Sequence, residues 1–155
     1  MAISKFMGRG DVVGPASSTD GLPAVFDGST GKRIKEGTAL PTSGTYTPTL
    51  TNVSNLDGST AFACQYARIG SFVIVTGKVA ANPTAAGVVQ IGISLPIASA
   101  FTAVEQCGGS ASASAVAGQC AAIIADPTNS RAEMIWTTVD TSNRTMAFCF
   151  GYSVL

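Results

Sequence analysis

The stretch Met146-Ala147-Phe148-Cys149-Phe150-Gly151-Tyr152-Ser153-Val154 alternates a large apolar side chain with a small one at every step. Successive side chains of a strand point to opposite faces, so Met146, Phe148, Phe150, Tyr152 and Val154 share one face. Thr145, Ala147, Cys149, Gly151 and Ser153 share the other. The first face predicts a core. The second is small enough for another chain to approach closely.

Upstream the pattern repeats with weaker contrast. Arg131 to Val139 alternates, with Met134 and Trp136 set against Arg131 and Glu133. Turn residues bound it on both sides, at Asp126-Pro127-Thr128-Asn129 and at Asp140-Thr141-Ser142-Asn143. Ala111 to Ile124 reads as one long, small-residue strand, and Val88 to Leu95 as another that ends at Pro96. Gly70-Ser71 turns the run Ala61–Ile69, with Phe62, Cys64 and Tyr66 on one face, into Phe72-Val73-Ile74-Val75-Thr76. That last run is apolar on both faces and reads as central. Only Ala98 to Gln106 suggests a helical turn. Six or seven strands separated by turns predict an all-β fold, an antiparallel β-sandwich or jelly-roll-like knob over residues 45–155.

Before residue 44 the character changes. Gly14-Pro15, Asp20-Gly21, Leu22-Pro23, Asp27-Gly28, Thr30-Gly31 and Leu40-Pro41 break any long element. Single apolar residues stand between the breaks: Phe6, Val12, Val13, Leu22, Val25, Phe26 and Ile34. A flexible linker would be polar throughout. Residues 1–44 therefore predict an extended N-terminal anchoring arm that uses these residues as pegs, with Lys32, Arg33 and Lys35 facing acidic groups at the rim. Val25 to Ile34 also fits a short hairpin around its Gly-containing turn.

Composition excludes several functions. Nine basic residues balance nine acidic ones, so nothing points to nucleic acid. Charged residues are 12% of the chain, about half the usual share of roughly 25%. No apolar run approaches the roughly 18 residues of a membrane span, and no membrane insertion is expected. Lys5 and Arg9 interrupt the N-terminal apolar residues, so no signal peptide is expected either. There is no His, which removes the usual base of Ser and Cys nucleophiles and the commonest catalytic zinc ligand. Cys64, Cys107, Cys120 and Cys149 form no C-x-x-C pair and read as buried, reduced thiols made in a reducing cytoplasm. No cofactor or metal site is expected.

The remaining motifs have plainer explanations. Gly8-Arg9-Gly10 and Gly108-Gly109 do not join a strand to a helix, as a phosphate cradle would. Asp126, Glu133 and Asp140 lie near strand ends, and a converging pair would be the minimum for cleaving a glycan. Trp136, Tyr66 and Tyr152 would offer sugar a stacking platform, but aromatic residues on a strand face are more often core. No catalytic residue is assigned, and an enzyme is not expected.

The arm Gly10-Asp11-Val12-Val13-Gly14-Pro15-Ala16-Ser17-Ser18-Thr19-Asp20, followed by Val25-Phe26-Asp27-Gly28-Ser29-Thr30-Gly31-Lys32, resembles a segment of tailed-bacteriophage fibre, spike and head-decoration proteins. Gly44-Thr45-Tyr46-Thr47-Pro48-Thr49-Leu50-Thr51-Asn52-Val53, Cys64-Gln65-Tyr66, Thr76-Gly77-Lys78-Val79 and Ile93-Ser94-Leu95-Pro96-Ile97 are similar to a small β-sandwich module of phage virion proteins. The resemblance implies a non-enzymatic virion protein made in the host bacterial cytoplasm, usually a homotrimer. The small face of the last strand, with Ala111 to Ala117, would suit that self-association. A short arm with one knob fits a capsid decoration (cement or head-fibre) protein docked on the phage major capsid protein or another virion protein. The alternative is a short tail or collar fibre that meets a host surface receptor.

Overall fold

The computed structural model describes residues 14, 16–17, 22–29, 33–37 and 41–155. The chain divides into two units, Met1–Pro41 and Thr42–Leu155. In the first, β1 (Ala24–Phe26) and β2 (Ile34–Glu36) form an antiparallel hairpin. The second unit begins at Thr42, so its first strand straddles the boundary expected at residue 44.

The second unit holds ten strands in one antiparallel sheet: β3 (Thr42–Tyr46), β4 (Leu50–Ser54), β5 (Leu56–Ala61), β6 (Cys64–Ile69), β7 (Phe72–Pro83), β8 (Gly87–Ile93), β9 (Cys107–Ala113), β10 (Cys120–Asp126), β11 (Arg131–Thr138) and β12 (Arg144–Ser153). A single 3-10 turn, Val104–Gln106, falls inside the segment expected to turn helically. There is no α-helix among the described residues. The fold is all-β, as the alternation predicts.

Along the sheet the order is β3-β6-β7-β12-β9-β10-β11-β8-β4. The twelve-residue β7 makes the sheet curl. One side of it pairs with β12 along Phe72–Ala81, while the other is shared between β6 (Phe72–Thr76) and β5 (Val79–Pro83). Because β4 runs directly into β5, the strand at one end of the order is tied to one near the other. The result is a half-barrel, a sandwich-like arrangement whose two layers belong to one ladder.

Asn55 makes the β4–β5 turn, with φ of 56°. Its side-chain carbonyl accepts from the Thr84 hydroxyl at 2.7 Å and the Ala85 N–H at 2.9 Å, and its amide donates to the Ala85 carbonyl at 2.8 Å. Asn tolerates this left-handed backbone, and its side chain pins the β7–β8 turn beneath it.

The concave face is the core. Met146, Phe148, Phe150 and Tyr152 are all at most 5% exposed, and Val154 at the strand's end is half-buried. They meet Val73, Val75 and Val79 from β7, Val89, Ile91 and Ile93 from β8, and Met134 and Trp136 from β11. The Phe148 and Phe150 rings stack 5.6 Å apart. Gly77 and Gly109 make room for them: a Cβ on Gly77 would lie 2.8 Å from Cys64 Cβ, and one on Gly109 2.6 Å from Phe150 Cα.

Several expectations are corrected. Ala111–Ile124 is two strands, β9 and β10, because Gly118 (φ 80°) turns the chain between them. β7 is central but buries only one face; Phe72 and Ile74 on the other are each 45% exposed. Cys64 and Cys107 are buried free thiols, whereas Cys120 and Cys149 are exposed, since both lie on the convex face.

Candidate functional site: the hairpin and the convex sheet

The hairpin carries the described pegs. Ala24 pairs with Glu36, Val25 with Lys35 and Phe26 with Ile34. Asp27 N–H donates to the Arg33 carbonyl and Gly37 N–H to the Pro23 carbonyl, both at 2.8 Å, closing the ladder at each end. Neighbouring residues of a strand face opposite ways, so Phe26 and Ile34 stand together on one face while Val25 and Lys35 share the other. Phe26 is 63% exposed, Val25 38%, and Leu22 and Ile34 are half-buried. Gly37 is needed beneath Val25, because a Cβ there would lie 2.8 Å from Val25 Cγ1.

The basic residues divide. Lys35 places its ammonium 3.1 Å from the Asp27 carboxylate, an ion pair on the surface of the hairpin. Arg33 is exposed. Phe6, Val12, Val13 and Lys32 lie outside the described residues.

The three carboxylates weighed for chemistry do not all meet in one place. Asp126 lies opposite Arg131 at one end of the β10–β11 ladder, and Asp140 follows the other end of β11. Burial pushes the Asp126 carboxyl up, but hydrogen bonds from Asn129 and the Arg131 guanidinium at 2.9 Å outweigh it and hold it below the usual carboxylate range. The Ser142 amide and then Arg144 hold Asp140 low in the same way. Arg144 in turn donates to Gln119 at 2.9 Å, bracing the loop between β9 and β10. Glu133 lies on the convex face of β11. Carboxylates held charged by arginine make poor general acids.

Trp136 and Tyr152 are core residues, at 3% and 1% exposure, so no aromatic platform forms with Tyr66. Tyr152 spans the fold, its hydroxyl donating to the Ile97 carbonyl at 2.7 Å, and burial pushes its pKa up to about 12. Burial likewise pushes the Cys107 thiol up to about 12. No group of His, Cys, Asp and Glu among the described residues is arranged to hold a metal ion. Among them, too, no helix is long and apolar enough to cross a membrane.

Where β12, β9 and the start of β10 lie side by side, the convex face is built from small uncharged side chains. Cys149 registers with Ser110 and Ser110 with Ala122, while Ala147 registers with Ser112 and Ser112 with Cys120. The alternation at 146–154 implies that smoothness on β12, and β9 and β10 extend it. No family model, no curated protein and no solved structure matches the chain.

Proposed function

We propose that this chain is a non-enzymatic structural protein of a tailed-phage virion, a capsid decoration protein that docks on the shell through its N-terminal segment. The resemblance of residues 10–32 and 44–97 to virion appendage proteins supports this reading. The observation that carries it is the Phe26–Ile34 face of the hairpin, an apolar pair in the first of the two units. An exposed Phe26 beside the half-buried Ile34 on a short ribbon suits burial against a partner. Docking then draws on Phe26, Ile34 and Leu22 for affinity, with Arg33 at the rim, since an exposed ion pair contributes only about 0–1 kcal/mol. Val25 faces the other way and contributes through Gly37 to the hairpin itself.

The test is binding of the full chain to particles that lack it. Phe26→Ser should abolish decoration while leaving the melting temperature unchanged, and Arg33→Ala should weaken it only modestly. Full occupancy by Phe26→Ser would place the docking surface elsewhere. Copy number then separates the two virion sites: hundreds per particle mean decoration of the shell, and a handful mean a tail or collar fibre.

A further inference from the structure

Strands β3, β4 and β5 each have one described partner strand in the ladder. Two of them are guarded. The ladders of β4 and β5 slip at Asn52–Ser54 and Leu56–Gly58, and the Ser59 hydroxyl donates to Asn52 across the pair at 2.6 Å. Strand β3 has none of these devices. Its register with β6 is unbroken from Thr42 to Tyr46, and Thr-Ser-Gly-Thr-Tyr contains no charge and no proline. Natural sheets guard free edges because unpaired backbone groups invite another strand.

Turn chemistry shows which groups point away from the ladder. Gly70-Ser71 joins β6 to β7 as a two-residue turn, with Gly70 at φ 62°, so Ile69 and Phe72 form its hydrogen-bonded closing pair. Bonding direction alternates along a strand. Gln65, Ala67 and Ile69 therefore serve β7, and Cys64, Tyr66 and Arg68 serve β3. Their partners Tyr46, Gly44 and Thr42 bond inward. Ser43 and Thr45 direct their N–H and C=O groups away from the sheet.

We propose that a second copy of this chain pairs here, its β3 antiparallel to the first across a two-fold axis at Gly44. The strand is its own complement: the axis sets Ser43 of each copy opposite Thr45 of the other, and the two exchange both backbone bonds. Gly44 meets Gly44 at a closely spaced pair with no side chain between them. That position is kept bare from within, since a Cβ on Gly44 would lie 2.9 Å from the Tyr66 ring. Beside the edge, a shallow uncharged groove of about 450 Å³ lined by Ser43, Thr45, Gln65, Ala67, Ile74 and Thr76 leaves the convex side open. Such an isologous contact closes at two copies, where the resemblance implies three. It stands independently of the virion reading.

Sedimentation of the full chain over a range of concentrations tests this, with amide exchange read residue by residue. The unaltered chain should reach the mass of two copies in the micromolar range. Its Ser43 and Thr45 amides should exchange about tenfold slower in concentrated than in dilute samples. Thr45→Pro removes an outward N–H and leaves the β3–β6 ladder intact, so it should stay a single copy with unchanged circular dichroism. A chain that remains a single copy throughout overturns the proposal. So does any assembly in which those two amides exchange at one rate at every concentration, a result that decides the matter even if Thr45→Pro fails to fold.

Discussion

Replacing Phe150 by Ala probes the centre of the fold. The ring is 1% exposed, stacks at 5.6 Å on Phe148 and lies 6.2 Å from Tyr152. Its strand neighbours are Val75 on β7 and Gly109 on β9, and Gly109 has no side chain with which to fill a void. Little around it can collapse, so truncation should cost about 3–5 kcal/mol. For a domain of this size that lowers the melting temperature by about 12–20 °C. Gly109→Ala perturbs the same place from the opposite direction. Its Cβ would strike the Cys149 carbonyl oxygen and lie 2.6 Å from Phe150 Cα, atoms of a backbone that cannot swing aside. Overpacking of this kind costs about 1–3 kcal/mol or more. Cys149→Ala, one residue away on the convex face, should stay within about 0.5 kcal/mol of the unaltered chain. Thermal unfolding of the three variants, followed by circular dichroism, reads all of this. If Cys149→Ala lowers the melting temperature as far as Phe150→Ala does, the faces of β12 are assigned backwards.

In the native protein a thiol reagent should titrate Cys120 and Cys149 rapidly, with Cys64 and Cys107 reacting only after unfolding; four fast thiols would contradict the burial of the latter two. Asp126 has a depressed folded pKa, so its contribution is fully present above the unfolded value of about 3.9 and is lost as pH falls through the folded one. Asp126→Asn should accordingly flatten the acid limb of the stability profile, and an unchanged slope below pH of about 4 would refute the assignment. Docking through Phe26 and pairing through β3 should fail separately: Phe26→Ser is expected to keep the two-copy mass, and Thr45→Pro to leave the hairpin face intact.

What the sequence made legible was contrast. β11 and β12 declare themselves because Met134, Trp136, Phe148 and Phe150 alternate with much smaller or charged neighbours. The break between β9 and β10 hides among Ala, Ser and Gly, where only Gly118 marks the turn and nothing large changes face. Strands β3, β4 and β5 are rich in Thr, Ser, Asn and Gly and bury little, so no apolar alternation marks them. They are ordered by their neighbours: Tyr66 packs on Gly44, and Asn55 bonds to the β7–β8 turn. The hairpin is foreshadowed by its Gly-containing turn. The Lys35–Asp27 pair is not, since it depends on the three-dimensional course of the ribbon.

A curled sheet can place function inside its curl or outside it. Here the inside is filled by Tyr152, Phe150, Ile91, Ile93, Ile123, Met134 and Met146, all less than 2% exposed. Two polar atoms, Tyr46 Oη and Trp136 Nε1, are buried there with no hydrogen-bond partner among the described residues, and burial pushes the Tyr46 hydroxyl pKa upward. An unpaired buried polar atom costs stability, so this interior is shaped by packing around its aromatic rings. The two surfaces proposed for recognition differ in kind. The hairpin presents side chains, Phe26 and Ile34, and its affinity should follow apolar area. The β3 edge presents backbone, and its affinity should follow hydrogen-bond geometry. Truncating a side chain weakens the first and spares the second; proline does the reverse. A chain in which both surfaces responded alike to Phe26→Ser and Thr45→Pro would have one interface rather than two.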